Sequence, residues 1–176
     1  SKHITLVGIC AAKGEPRKPA MIMPNKFLPE NLHDTLSRCY YTYSASGWIT
    51  IEVWKHLVKN WLIPLINERR ARMKMPDAHV LLLADAHDSR FDSACCELLA
   101  ANNIHLVIIP PSCTSIMQPL DQDIFRELKR YMRKWLSVLR VEKRTETEKR
   151  EILVKYCLSA FQCATADIYV ERAWRV

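Results

Sequence analysis

Glycine is scarce in this sequence, with only three among 176 residues. No segment has the glycine spacing of a nucleotide-binding P-loop or of a dinucleotide-binding turn, since both need several glycines where the backbone approaches a phosphate. No apolar run approaches the roughly 18 residues of a membrane-spanning helix. We therefore expect neither an NTPase nor a dinucleotide-dependent enzyme, and we expect no membrane partner.

Cysteine spacing that would mark a zinc site is also missing. The seven cysteines form no CxxC pair and no Cys/His pair at a ligand spacing. Their number is odd, and most lie within apolar runs, where a free cysteine behaves as a small hydrophobic residue. We interpret them as reduced thiols of an intracellular protein.

A serine-hydrolase site is not expected either. Asp85, His87 and Ser89 have residue types found in a catalytic triad, but no GxSxG motif is present. Residues this close on one turn also lack the geometry by which the base of a triad reaches its nucleophile. His87 by itself could neighbour a metal or shuttle a proton, although a lone histidine near a turn more often has a structural role.

What the sequence does contain indicates a folded, basic domain. Apolar residues make up 49% of it, the net charge is +7 and the isoelectric point is near 9.1. A length of 176 residues suits a single domain over 1–176. The positive charge favours an acidic partner, usually nucleic acid. Because the sequence enters a strand-like run at once, without an initiator methionine, we expect a piece of a longer protein.

Apolar periodicity predicts a mixed α/β architecture. Two strand-like runs at 80–83 and 104–108 flank a helical segment, and a crossover of that length makes neighbouring strands parallel. The second run lacks polar alternation, which predicts a buried strand. Further predicted strands lie at 3–12, 19–23 and 40–44, with a turn at 13–16 and a loop at 24–37 that could include a short helix. Predicted helices follow Thr50, with a kink or end at Pro64, run from Asp88 to Asn102, and occupy 124–139 and 147–164 after a charged linker at 141–149.

Aspartates occur where the predicted elements end. Asp85 follows the strand at 80–83, and Asp121 and Asp123 precede the amphipathic helix at 124–139. Side chains at such positions can converge at the carboxyl edge of a sheet, and converging carboxylates hold the divalent cations of phosphodiester chemistry. From spacing alone, a helix N-cap or a turn is the commoner role of Asp85 and Asp121. Asp123 could complement the dipole of the helix.

Basic residues cover much of one side of the predicted helix at 124–139. Such a stripe either contacts phosphates or forms a solvated face, and the solvated face is the more common outcome. A second basic cluster lies at 69–74 and is a further candidate for phosphate contacts. The candidate nucleic-acid contacts on the helix are Arg126, Lys129, Arg130, Arg133 and Lys134.

Several short motifs follow one another in a distinctive order. They are Ala-Lys-Gly at 12–14, Ser-Gly-Trp at 46–48, an apolar strand ending in aspartate at 81–85, Pro-Pro at 110–111, Thr-Ser at 114–115 and Gln-Pro-Leu-Asp at 118–121. In this order the motifs resemble the DDE superfamily endonuclease domain. The branch is that of the pogo, Tigger and jerky-type transposases, which includes centromere protein B, and the resemblance covers nearly the whole chain.

This resemblance implies an RNase H-like fold, a mixed sheet flanked by helices, with a triad of aspartates that binds Mg²⁺ or Mn²⁺. Asp85 matches the second catalytic aspartate and Asp121 the third, so both are expected to hold the metal. Water would attack a phosphodiester of double-stranded DNA first, and a 3′-hydroxyl would attack target DNA second. A nuclear location is also expected, as is a homo-oligomer in the full-length protein.

The chain departs from the family pattern near both aspartates. The first catalytic aspartate should lie on a strand upstream of residue 1, so the predicted fold is N-terminally truncated, with unpaired strand edges near Ile4 and Val80. Ala86 stands where the family favours asparagine, and Arg90 replaces a histidine. Asp123 replaces a glycine and is either a bystander or a substitute ligand. Two alternatives stay open: a catalytically inactive, nucleic-acid-binding domain, and an RNase H-like nuclease that cuts RNA.

Overall fold

A computed structural model describes residues 3–12, 18–24, 32–113, 117–139 and 144–175. Its first sheet contains β1 (Thr5–Val7), β2 (Ala20–Pro24) and β3 (Tyr40–Ser44), in that spatial order. β2 pairs antiparallel with β1 and parallel with β3. The prediction that the second strand pairs back on the first is therefore confirmed, while the predicted turn at 13–16 lies outside the described residues.

β1 is shorter than the strand predicted at 3–12. Its ladder ends at the pair Val7↔Ala20, so the next partner of Gly8 would be Pro19, which has no N–H to donate. The carbonyl of Pro19 instead accepts a hydrogen bond from Tyr40 N at 2.9 Å. Gly8 packs against Phe161, whose ring would lie 3.0 Å from an added Cβ.

The helices before the second sheet are α1 (His33–Leu36), α2 (Ile51–Leu57) and α3 (Ile63–Arg72). Thr50 caps α2 as predicted, since its hydroxyl accepts a hydrogen bond from Val53 N at 3.2 Å. Pro64 does not end the helix. The π-helical turn Val58–Leu62 joins α2 to α3, and its wider winding precedes the proline, whose ring would otherwise crowd the previous turn.

The second sheet consists of β4 (Val80–Ala84) and β5 (Ile104–Ile108), which are parallel as predicted. The 3₁₀-helix Asp88–Phe91 and then α4 (Ser93–Ala101) connect them. α4 begins later than the helix predicted from Asp88, because Asp92 is its N-cap and accepts a hydrogen bond from Cys95 N at 3.0 Å.

The prediction that β5 is a buried strand is wrong. Ile104 is 1% exposed and Leu106 packs against the core, whereas His105 and Val107 are exposed on the opposite face. On β4, Leu81 is 64% exposed on the strand that pairs with β5. Because Leu81 and Val107 are exposed while their neighbours along the strands pack inward, this sheet carries apolar residues on its solvent face as well as on its core face.

The C-terminal part contains α5 (Phe125–Leu139), α6 (Glu146–Ala164) and α7 (Asp167–Ala173). The π-helical turn Leu120–Ile124 leads directly into α5. α6 starts within the predicted charged linker because Thr145 and Glu148 form a capping box. The sequence patterns did not predict α7. None of the described helices is long and apolar enough to cross a membrane.

The core clusters lie on both faces of the first sheet. On one face Ile22 packs with Trp54 of α2 and with Ile104 of the second sheet. On the other face Met21 and Met23 pack with Leu158 of α6. The alternation of side chains along β2 thus places helices on both sides of the first sheet and joins the second sheet to it through a shared core.

β1 and β4 each have a free hydrogen-bonding edge. β1 is the terminal strand of its sheet, and β4 pairs with β5 only, within the part of the chain that is described. The predicted unpaired edges near Ile4 and Val80 are therefore present, although Val7 and Val80 pack against the same core cluster.

Candidate active site

Asp85 leaves the second sheet at its carboxyl edge. The ladder ends at Ala84, whose carbonyl accepts a hydrogen bond from Ile109 N at 2.8 Å, so the next side chain is free to face away from the strand. The carboxylate is 43% exposed and accepts a hydrogen bond from Arg90 Nε at 3.2 Å on Oδ1. The N-cap interpretation of Asp85 is wrong, because His87 and Asp92 cap the two helices that follow.

Asp121 lies in the π-helical turn Leu120–Ile124 and is exposed. It is not the N-cap either, since Pro119 occupies that position. Partial burial raises the pKa of the Asp121 carboxyl; the charge of Lys129 lowers this pKa and that of Asp85 raises it. Asp85 thus acts on Asp121 electrostatically although 3₁₀-helix, α4 and β5 separate the two in the sequence. Both predicted metal ligands are accessible carboxylates.

Asp123 has a structural role. It is 6% exposed. Arg172 of α7 forms a bidentate ion pair with it, in which Nε donates to Oδ2 at 2.6 Å and Nη2 donates to Oδ1 at 3.1 Å. Arg126 also donates to Oδ1. The hydrogen bond from Arg172, followed by the charge of Arg126, lowers the pKa of Asp123. Of the two roles left open for Asp123, the structure supports the bystander, because its oxygens are already occupied.

His87 is also structural. Its Nδ1 accepts a hydrogen bond from Ser89 N at 3.3 Å and lies 3.0 Å from Ser89 Oγ. The imidazole thereby caps the 3₁₀-helix Asp88–Phe91. This capping contact explains why a polar residue lies at position 87, and no catalytic role is needed to explain it.

A cavity of about 600 Å³ opens beside Asp121 along α5. Four of the five predicted nucleic-acid contacts line it, and Lys134 does not. Arg126 and Arg130 pair with Asp123 and Glu127 but remain 64% and 59% exposed, so both cations are accessible. The lining residues are Asp121, Phe125, Arg126, Glu127, Lys129, Arg130 and Arg133. The cavity is a positively charged surface next to a carboxylate.

The second basic cluster at 69–74 does not act as one surface. Arg70 is 6% exposed and donates to the carbonyls of Ala78 and Asn102 at 2.7 and 2.8 Å, which ties α3 to the ends of the second sheet. Arg72 pairs with Glu68 at 3.5 Å. The prediction of phosphate contact is therefore wrong for Arg70, whose donors face backbone carbonyls.

Arg90 is the residue of this site whose role the sequence patterns missed. Its guanidinium lies 3.8 Å from the centre of the Trp54 ring, and its side chain is 10% exposed. The only sequence signal was that arginine replaces the family's histidine at this position. The packing partner on α2 could not be read from that signal.

The donor set of Asp85 and Asp121 fits a hard divalent cation. Carboxylate oxygens are the ligands that Mg²⁺ prefers, and Mg²⁺ keeps several waters, so few protein ligands are needed. A nearby cation would favour the charged form of Asp121, whose pKa partial burial raises. Among the described residues no group of three or more His, Cys, Asp or Glu could hold a metal ion.

Comparison with known proteins gave one family and one relative. A family model described as "DDE superfamily endonuclease" matches residues 1–174. The protein named "MFS-type transporter clz9" from Cochliobolus lunatus is 33% identical over 91 residues, which cover 49% of this chain and 9% of that protein. The chain thus spans only a small part of that relative. No solved structure matches this chain.

Proposed function

Because the chain belongs to the DDE superfamily endonuclease family, we propose that it is the nuclease domain of a nuclear transposase of the pogo, Tigger and jerky-type branch. The domain cleaves and joins phosphodiesters of double-stranded DNA with Mg²⁺ or Mn²⁺. The observation that carries the proposal is that Asp85 follows the carboxyl end of β4 and Asp121 lines the basic cavity, in a chain that belongs to this family.

Asp85 and Asp121 hold the metal in this proposal. A bound divalent cation supplies activation of the attacking oxygen and stabilisation of the leaving oxygen. Asp121 stands at the mouth of the basic cavity, where Lys129 and Arg133 can position a phosphate of the DNA backbone. Asp121 and the proposed phosphate contacts therefore line the same cavity.

The fold in this proposal is RNase H-like. That fold, as the family resemblance implies it, has a central strand between the positions of β1 and β4, and the strand carries the first catalytic aspartate. The free edges of β1 and β4, which share one core, support this arrangement. The third metal ligand would then enter from the strand that pairs with both.

The proposal is tested by a Mg²⁺-dependent nicking assay on the full-length protein. We expect Asp85→Asn and Asp121→Asn each to reduce the cleavage rate by about 100-fold or more, because each removes a charge that holds the metal at the reacting phosphate. Asp77→Asn is the matched control, since Asp77 is an exposed carboxylate in a turn before β4. Cleavage at the parent rate by either site variant would mean that its carboxylate is not a ligand.

A second candidate function is DNA binding without cleavage. The ion pair of Asp85 with the buried Arg90 favours it, because a cation of the protein already neutralises one of the two carboxylates. The same assay separates the two functions. A protein that binds DNA, yet leaves it intact in both Mg²⁺ and Mn²⁺, would be the inactive, domesticated form.

A further inference from the structure

Arg90 occupies a site built for a fixed positive charge. Its guanidinium stacks on Trp54, which is 4% exposed in the core between α2 and the second sheet. Nη1 donates to Ser89 Oγ at 3.1 Å, and Ser89 is 1% exposed. These contacts hold the side chain in place by packing and by a neutral hydrogen bond, so its position does not depend on a carboxylate.

Asp85 is the one carboxylate that pairs with Arg90 among the described residues. Nε donates to Oδ1 at 3.2 Å, while Oδ2 accepts no hydrogen bond within the described part of the chain. Burial lowers the pKa of Arg90, and the charge of Asp85 opposes that effect. The pair is asymmetric: the cation is 10% exposed and the carboxylate 43%. The buried guanidinium of Arg90 therefore contacts one oxygen of Asp85, while the rest of that carboxylate stays accessible.

We propose that Arg90 is a positioning residue that orients Asp85 through Oδ1 and weakens the affinity of the carboxylate site for divalent cations. This inference rests on the proposed function of Asp85 and Asp121 as metal ligands. A divalent cation bound to Asp85 shares that carboxylate with a guanidinium that cannot move away or lose its proton. The fixed charge would repel a bound cation, and Oδ2 is the oxygen of Asp85 that Arg90 leaves without a hydrogen bond.

A purely structural role predicts a different outcome. If Arg90 only completed the core around Trp54, its replacement would lower the free energy of unfolding and would leave cation affinity unchanged or reduced. Repulsion from a fixed charge predicts the opposite direction for affinity, because removing the charge tightens the site even where stability falls. Cation affinity therefore distinguishes the two roles.

The experiment measures Mn²⁺ affinity of the full-length protein by titration calorimetry and by loss of the free Mn²⁺ electron paramagnetic resonance signal, without DNA. The variants are Arg90→Gln, which keeps an amide donor without the charge, and Arg90→Lys, which keeps the charge. We expect Arg90→Gln to bind Mn²⁺ at least about 10-fold more tightly than the parent, because it removes the repulsion between a fixed positive charge and the cation, and Arg90→Lys to stay close to the parent. Arg38→Gln, which removes an exposed charge at the end of α1, controls for net charge.

Asp85→Asn separates failure of this inference from failure of the proposed function. If Asp85→Asn abolishes Mn²⁺ binding but Arg90→Gln binds like the parent, Asp85 is a ligand and the role of Arg90 is overturned. If Asp85→Asn binds Mn²⁺ like the parent, the metal site itself is wrong and the inference falls with it. Melting temperatures of all variants show whether a loss of binding comes from unfolding, and tighter binding by Arg90→Gln cannot arise in that way.

Discussion

Three aspartates that look alike in the sequence have three different environments. Asp85 is partly exposed and shares one oxygen with a buried arginine. Asp121 is exposed in a turn, and partial burial, together with the charge of Asp85, raises its pKa. Asp123, only two positions later, is buried between Arg126 and Arg172. At the scale of the residue, a carboxylate is available for metal binding only where the arginines of the protein do not already bind both of its oxygens.

The Asp123 ion pair predicts a pH-dependent stability. Its pKa is lowered from 3.8 in the folded protein, mainly by Arg172. A lowered folded-state pKa contributes stability above the unfolded value, and this stability is lost as pH falls through the folded value. We expect Asp123→Asn to lower the melting temperature by several degrees at pH 7, and the gap from the parent to narrow below about pH 4.

Thermal unfolding followed by circular dichroism at pH 7 and pH 3 checks this expectation. Asp77→Asn serves as the control, since it makes the same change at an exposed position. A gap between Asp123→Asn and the parent that is equal at both pH values would show that the carboxylate charge is not what stabilises the contact with α7.

At the scale of the element, α5 serves two purposes on opposite faces. Its inner face continues the core, where Trp135 lies 5.2 Å from the ring of Tyr156 on α6 and Leu128 packs beside Ile124. Its outer face carries the three arginines and the lysine that line the cavity. Because a helix turns by about 100° per residue, a spacing of three and four residues keeps these two faces apart.

We expect the outer face of α5 to determine the salt dependence of DNA binding. Arg130→Ala and Arg133→Ala should each reduce the slope of log K against log salt by about 0.9, because each phosphate contact releases about that number of counterions. Binding isotherms between about 50 and 200 mM salt measure the slope. Arg38→Ala, which removes an exposed arginine just after α1, should leave it unchanged. Unchanged slopes in the α5 variants would remove this face from the DNA contact.

At the scale of the whole molecule, the two sheets pack into one hydrophobic core, but none of their described strands pair with each other. Ile22 of β2 and Ile104 of β5 belong to one buried cluster, but among the described residues β1 and β4 each pair with one strand only. Unpaired backbone N–H and C=O groups at such edges are templates for pairing with another strand. Within the described residues, side-chain contacts rather than strand pairing join the two sheets.

This arrangement predicts marginal stability for the 176-residue chain by itself. Heating should give a broad, weakly cooperative transition accompanied by aggregation, because the free edges of β1 and β4 pair between molecules. Differential scanning calorimetry with light scattering at several protein concentrations checks it. A sharp, concentration-independent transition would contradict it and would show that the shared core suffices for cooperative folding.

Sequence patterns predicted most elements but fewer of their ends. β3 and β5 were predicted with the bounds that the structure has, since runs of β-prone residues between turn signals leave little choice. β1 was predicted too long because the loss of an N–H at Pro19 acts on the partner strand, not on β1 itself. The π-helical turns before Pro64 and within 120–124 depend on hydrogen bonds that no residue pattern specifies.

The sequence by itself determined the order of strands and helices, the placement of Asp85 and Asp121 at element ends, and the motifs that resemble the DDE superfamily endonuclease domain. The tertiary structure decided which aspartates are available. It placed Arg172 on Asp123, from 49 positions away, and it buried Arg90 on Trp54 beside Asp85. Local patterns set backbone conformation, whereas burial and ion pairing depend on which elements pack together, and those contacts lie far apart in the chain.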